Sequence, residues 1–188
     1  MICKLLSVMP DTRYARCFAK KFLYVIIAIM GKKEENNTKP ASKSFVQMEQ
    51  LVLPNDANAL NTLFGGRLLQ WIDAAGAMAA TKHSRREVVT VAVDSVDFRE
   101  PIKVGNMVKL IAKVTWTGRT SMEVKIDIFK ETPYSGEIIK TNQAFMTFVA
   151  LDGSGKPAEV PVLLAETEEE IFDNLQAKER RKLRLKKK

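Results

Sequence analysis

A chain of 188 residues, 46% hydrophobic and 28% charged, has the composition of one ordinary globular domain, with a core large enough to stand without covalent staples. Its two cysteines, Cys3 and Cys17, both fall within the first twenty residues, which excludes a disulfide framework or a cysteine zinc site in the core. The formal charge of +8 belongs to the ends: residues 1–45 carry 9 basic and 3 acidic side chains and residues 178–188 carry 8 and 1, whereas residues 46–177 hold 13 and 18, so the central part lacks the basic face of a nucleic-acid-binding domain.

The amino-terminal stretch is read apart from the rest. Phe22 to Met30 (FLYVIIAIM) follows Arg16, Lys20 and Lys21 and imitates a signal peptide, but nine apolar residues are too few to span a bilayer and no small-residue cleavage site follows. Met30 is read as the natural start, the segment before it as an upstream extension, and residues 1–43 as largely disordered. The folded domain is then expected over residues 44–164, with a C-terminal helix and basic tail over 165–188, and the chain is read as cytoplasmic.

Phe45 to Leu53 mixes alternation with β-formers and stops at Pro54, as a first strand does. Asn55-Asp56-Ala57-Asn58 supplies turn residues. From Leu63 to about Lys82 the chain carries apolar side chains on nearly every face and is rich in Ala and Gly, the pattern of a buried helix whose backbone others approach closely. Four strands follow. Val88 to Phe98 changes phase after Val93, which predicts a bulge. Met107 to Thr117 and Ser121 to Lys130 alternate cleanly, the latter with Glu123, Lys125 and Asp127 outward, and Ile138 to Val149 has the two-sided apolar character of a central strand. The short breaks between them imply antiparallel neighbours. Ala165 to about Leu185 reads as a helix that begins acidic and ends basic, in accord with the helix dipole, and its last Lys/Arg cluster reads as a solvated tail. One sheet with one long apolar helix must wrap that helix to bury it, an α+β arrangement that leaves a sheet face and an edge uncovered and therefore predicts an oligomer.

Asp73 is the anomaly, a carboxylate in LLQWIDAAGAMAA with no basic residue between Arg67 and Lys82. A buried unpaired acid is costly, so its presence points to chemistry. Gly65-Gly66 opens the same helix, where unpaired backbone N–H groups can polarise a carbonyl. Seven residues separate Gly66 from Asp73, about 10 Å of rise, too far to act on one atom from a single helix and suited to a site built where two copies meet. Asn58 precedes the helix, where its amide could donate to a carbonyl or hold a water. The single histidine, His83, sits at the expected helix end and reads as a favourable charge or cap rather than a catalyst, which leaves no catalytic triad or histidine metal cluster to assemble.

These residues resemble the acyl-CoA thioesterases of the hot-dog superfamily, from about Gln50 to Lys182. The specific stretches are Leu53 to His83 (LPNDANALNTLFGGRLLQWIDAAGAMAATKH), Val89 to Asn106, the Gly118-Arg119-Thr120-Ser121 turn and Phe145 to Pro161. The resemblance implies an antiparallel sheet wrapped around a central helix, dimers with a continuous sheet and commonly a trimer of dimers. It further implies acyl-CoA as substrate, no metal or redox cofactor, no nucleic-acid or membrane partner, Asp73 as general base or nucleophile, and Asn58 acting from the partner subunit. Gly65 and Gly66 would orient the thioester carbonyl, and Arg119, Thr120 and Ser121 would lie along bound coenzyme A. Phe64 departs from relatives that carry histidine before the glycine pair. The rivals are an enoyl-thioester hydratase or dehydratase, which needs a histidine in the site, and a non-catalytic acyl-CoA-binding regulator, which needs a DNA-binding segment.

Overall fold

The computed structural model describes residues 37–96 and 100–186. The chain divides after Thr38, and the account below concerns the unit from Lys39 onward. The expected disorder of residues 1–36 lies outside the described residues. Residues 39–43, expected to precede the folded part, are instead built into it: Lys39 and Pro40 end β1 (Thr38–Pro40), and a 3-10 turn follows over Ala41–Ser44. The reason is visible at Ser44, which is fully buried and whose Oγ accepts the Val114 N–H at 2.9 Å, extending the sheet ladder beyond its last strand pair.

Five strands form one antiparallel sheet in the order β2 (Val46–Leu51), β4 (Met107–Thr117), β5 (Ser121–Thr132), β6 (Glu137–Leu151) and β3 (Glu87–Val96). A two-stranded sheet pairs β1 with β7 (Val162–Leu164), a strand too short to announce itself in the pattern. The sheet wraps α1 (Gly65–Ser84), and α2 (Glu168–Lys186) lies against β4, the C-terminal helix expected from the charge gradient. This is the hot-dog arrangement. The expected phase change in β3 is present as register shifts between Thr90 and Ala92 and between Val93 and Ser95; the strand ends at Val96, and residues 97–99 lie outside the described residues.

Helix α1 starts and ends two residues later than its apolar pattern predicts. Thr62 and Leu63 are held by bridges to Lys103 and Ala57, so the first helical carbonyl is that of Phe64, which accepts from the N–H groups of Arg67 and Leu68. At the other end Arg85 adopts the left-handed conformation (φ 56°) and returns its N–H to Thr81, while the Lys39 ammonium donates to the last carbonyls, those of Lys82 and His83. The inner face, Leu68, Ile72, Ala75, Gly76, Ala79 and Ala80, packs on alternate residues of β4, β5 and β6. Each large side chain so buried contributes about 2 kcal/mol. Gly76 permits the close approach, because a methyl there would meet the Phe148 ring at 2.9 Å.

Within one chain the helix is not buried all round, as its composition had suggested. Gly66, Leu69, Asp73, Ala74, Ala77 and Met78 form a second stripe that is half-buried or exposed, with Leu69 and Met78 open to about two fifths of their surface. It runs beside edge strand β3, whose Val89, Val91 and Val93 are about half exposed.

The outward charges of β5 are also not solvated. Helix α2 covers Glu123 and Lys125, with Asp173, Arg180 and Arg184 on its inner face at the spacing of helical turns, while Asp127 is paired by Lys140 of β6. Glu123 is fully buried and takes Arg180 at 2.7 Å, the guanidinium lying 3.6 Å over the Phe145 ring. Lys125 binds Asp173 at 2.9 Å; burial works against its ammonium, but the Asp173 bond and the charges of Asp127 and Glu169 outweigh it and hold the group above its ordinary value. Arg184 reaches Asp94 on β3. Much of the basic tail is therefore an ordered clamp. Its start is set by a capping box, Thr167 Oγ1 accepting the Glu170 N–H and the Glu170 carboxylate accepting the Thr167 N–H.

His83 corrects a further expectation. It is fully buried, and its Nε2–H donates to the Pro161 carbonyl at 2.9 Å, so the ring is a buried group bonded to the segment before β7 rather than a cap on the helix end. Burial holds the imidazole below its ordinary value of 6.5; the Pro161 bond opposes the shift and the Lys39 charge adds to it. The unfolded chain therefore takes up this proton first as pH falls, so the stabilisation is complete above 6.5 and is lost progressively below it. The melting temperature is expected to drop between about pH 7.5 and about pH 5, and His83→Gln to reduce that drop. Equal slopes in the two proteins would remove His83 as the cause. Among the described residues no helix is long and apolar enough to cross a membrane.

Candidate active site

The loop before α1 is organised by Asp56. Its carboxylate accepts the Leu53 N–H at 3.0 Å and pairs with Arg67 Nε at 2.9 Å, and its carbonyl accepts the Phe64 N–H at 2.8 Å, so one buried residue ties the loop to the first turn of the helix. Asn58 hangs from this frame. Its Oδ1 is taken by the N–H of Leu60 (2.9 Å), the N–H of Thr62 (3.2 Å) and the Thr62 hydroxyl (3.1 Å). The network fixes which end of the amide is which, and Nδ2 is the donor left over for a ligand.

At the helix tip the N–H groups of Gly65 and Gly66 have no acceptor among the described residues, and Phe64 supplies no side-chain cap. Such a terminus carries two oriented donors and the positive end of the helix dipole. A methyl at Gly66 would lie 2.5 Å from the exposed Phe64 ring, which would have to swing aside to admit it.

Asp73, two turns along, is half-buried and accepts the Thr90 hydroxyl at 2.6 Å on Oδ1. It has no ion-pair partner among the described residues, and Oδ2 remains available. The hydroxyl bond orients the carboxylate without neutralising it. Thr90 was not singled out from the sequence. A threonine in a strand is ordinary β-former chemistry, and only the packing of β3 beside α1 reveals its role.

Arg119, Thr120 and Ser121 occupy the β4–β5 turn, closed by the Gly118 N–H on the Ser121 carbonyl at 2.7 Å. The carbonyls of Arg119 and Thr120 are held by the N–H groups of Val160 and Ala150, which fixes the turn, while the Arg119 side chain is exposed with no ion-pair partner among the described residues. Ser121 pairs with Val149, which pairs with Val89, so the turn lies two strand spacings, about 10 Å, from the level of Thr90.

The fold thus brings Asp73, Thr90 and the Arg119–Ser121 turn to one level, and gathers Asn58, Gly65 and Gly66 at another, about 10 Å along the helix. His83 is at neither; it faces Pro161 inside the fold. Among the described residues no cluster of three or more His, Cys, Asp or Glu side chains could hold a metal ion. A sheet-wrapped helix with an oriented acid on its open stripe and free donors at its tip offers a proton acceptor and a group of donors able to polarise a carbonyl.

Comparison with known proteins agrees. The thioesterase superfamily profile matches residues 60–137. The uncharacterized acyl-CoA thioester hydrolase YkhA of Bacillus subtilis is 45% identical over 139 residues, covering 74% of this chain and 81% of its own. An apo hexameric acyl-CoA thioesterase superposes with a TM-score of 0.78 at 42% identity, over 80% of this chain and 97% of the other. The acyl-CoA hydrolase of Staphylococcus aureus, solved with butyryl coenzyme A and coenzyme A, gives 0.75 at 36%, over 80% and 92%; alanine variants of it at an aspartate, an asparagine and a threonine have also been solved. The chain belongs to the hot-dog acyl-CoA thioesterase family.

Proposed function

We propose that the chain hydrolyses acyl-CoA to coenzyme A and a carboxylic acid in a site shared between two copies. The observation that carries this is the oriented, unpaired carboxylate of Asp73 on an open apolar stripe beside an unpaired sheet edge. A second copy laid against that stripe and edge would bury Asp73 and supply the helix tip. The hexameric relatives support a homo-oligomer, which we read as having the dimer as its unit and a trimer of dimers as its full form.

In this reading the thioester carbonyl accepts from the N–H groups of Gly65 and Gly66, with Asn58 Nδ2 as a further donor, and the turn at Arg119, Thr120 and Ser121 lies along coenzyme A. Asp73 takes a proton from water, the water oxygen bonds to the carbonyl carbon, and negative charge gathers on the oxygen held at the helix tip. The C–S bond then breaks and the leaving thiolate takes the proton held by Asp73. Direct attack by Asp73 through an anhydride gives the same products, and label found in the protein after a single turnover in labelled water would establish that route, with water opening the anhydride at the aspartyl carbon. No metal or organic cofactor is called for beyond the coenzyme A of the substrate, and the location is read as cytoplasmic.

The asparagine, aspartate and threonine altered in the Staphylococcus aureus hydrolase are spaced fifteen and then seventeen residues apart, as are Asn58, Asp73 and Thr90 here. We therefore add Thr90 as the residue that aims Asp73. In a thiol-release assay across acyl-CoA lengths, Thr90→Val is expected to lower kcat by about 10- to 100-fold with KM little changed, and Thr90→Ser to restore most of it. No CoA release by the wild-type protein from any acyl-CoA would end the functional reading. The enoyl-thioester rival has lost its histidine to the core, and the segment a DNA-binding regulator would need falls largely outside the described residues.

A further inference from the structure

In the reading above, two elements of one chain aim donors at the thioester carbonyl: the Asn58 amide on the loop before α1, and the Gly65 and Gly66 N–H groups at the helix tip. Each element is ordered within itself. The loop closes as a small hairpin, with a bridge between Ala57 and Leu63, the Asn58 N–H on the Thr62 carbonyl at 2.8 Å, and Asn61 in the left-handed conformation (φ 61°) at its bend. The helix tip is set by its own first turn, where the Phe64 carbonyl accepts from Arg67 and Leu68. The side chain that fixes the one against the other is that of Asp56. Its Oδ2 takes the Leu53 N–H at 3.0 Å, and Leu53 follows Val52, whose N–H and carbonyl bond to Asn106 and Gly105 at 2.9 Å each, just before β4. Its Oδ1 takes Arg67 Nε at 2.9 Å. The two carboxylate oxygens thus join a point anchored to the sheet to the first turn of α1. A further bond, Arg67 Nη1 to Gln70 Oε1 at 2.9 Å, holds the guanidinium on the helix, so the pull on Asp56 comes from a fixed point. The Asp56 side chain is only 10% exposed, where an ion pair is screened far less than at the surface.

We propose that Asp56 and Arg67 are positioning residues, whose ion pair holds the Asn58 amide and the helix-tip N–H groups at the spacing at which all of them reach one carbonyl oxygen. The inference rests on the catalytic reading above, which assigns neither residue a contact with the substrate. A misplacement of about 1 Å in such a donor set can cost about 100-fold in rate. A rival role for the pair is purely electrostatic, because a cation in the first turn opposes the helix dipole and Asp56 offsets it. The two roles differ in sign. If charge alone acted, Arg67 would aid the developing oxyanion and Asp56 oppose it, so removing Asp56 would speed the reaction. If position acts, removing either residue slows it.

Asp56→Asn keeps the side chain's volume and an oxygen for the Leu53 N–H, but it turns an amide NH2 toward Arg67. In the full chain, Asp56→Asn and Arg67→Gln are each expected to lower kcat about 10- to 100-fold with KM little changed. The double variant should lose no more than the worse of the two, since the residues act as one unit. A second measurement reads the donors directly and needs no turnover. In a dethia ketone analogue of acyl-CoA a methylene replaces the sulfur, so the carbonyl remains and cannot be hydrolysed. Its infrared C=O stretch should fall on binding to the wild type and return most of the way to the free value in either single variant. If Asp56→Asn does not fold, Arg67→Gln, which alters a part-exposed side chain, carries both measurements alone. An Asp56→Asn protein faster than wild type overturns the inference in favour of the charge effect. So do losses that multiply in the double variant, a carbonyl unshifted in the wild type, or folded variants that melt lower yet keep both kcat and the carbonyl frequency. No hydrolysis by the wild type, with a carbonyl shift that the variants abolish, would instead remove the catalytic reading and leave the pair's hold on the donors standing.

Discussion

Asp73→Asn is expected to give a folded oligomer of normal mass and melting behaviour that releases coenzyme A about a thousandfold more slowly than the wild type. The substitution keeps the shape of the side chain and an oxygen able to accept the Thr90 hydroxyl, so the packing of β3 on α1 has no reason to change. What is lost is the group that, in the proposed mechanism, holds a proton during the reaction. Arg119 is a cation, Thr120, Ser121 and Thr90 are hydroxyls that need a base themselves, and His83 is buried with its donor committed to Pro161. The residual rate would come from the helix-tip donors and from binding alone, the pattern seen when a base is removed from an otherwise intact site. Size measurement and thermal melts establish the intact fold, and a thiol-trapping assay reads the rate. Turnover within tenfold of wild type in a properly assembled Asp73→Asn protein would take Asp73 out of the mechanism.

How far the residues disclosed this arrangement depends on what each kind of signal measures. Alternation in Met107–Thr117 and Ser121–Lys130 reports which side of a strand faces the core, and it placed Val108, Leu110, Val124 and Ile126 correctly. It says nothing about what covers the other side. Glu123 and Lys125 therefore read as solvent-facing, although Asp173, Arg180 and Arg184 repeat along one face of α2 in the spacing that could have paired with them. Asp73 was legible because an acid in an apolar helix violates a local rule. Thr90 and the Asp56–Arg67 pair violate none; they acquire meaning only from the approach of segments that the fold brings together. The helix, too, was correctly read as apolar on nearly all sides, but one protomer leaves a stripe of it open, and in the shared-site proposal a second copy covers the rest.

Mixing two inactive proteins should restore activity. An Asn58→Ala subunit retains Asp73, and an Asp73→Asn subunit retains the Asn58 loop and its helix tip, so a mixed dimer holds one complete site and one doubly broken one. Random reassociation of equal amounts makes half the dimers mixed, and about a quarter of wild-type activity returns. The distance between the two levels favours the sharing. Strand β3 follows α1 after a two-residue turn and retraces it toward the tip, with Thr90 marking the level of Asp73. The tip lies about 10 Å further on, which is about three strand residues, near Val93. A two-fold axis through the β3 edge near Val91 exchanges those levels and carries the tip of one copy to the Asp73 of the other. The exposed Val89, Val91 and Val93, with Leu69 and Met78 on the helix, supply the apolar surface such a contact needs. Coexpression of the two variants with different affinity tags isolates the mixed species, and its CoA-release rate decides the matter. A mixed dimer as inactive as its parents would mean that each chain builds its site alone, and the 10 Å between Asp73 and the helix tip would then have to be closed by the substrate.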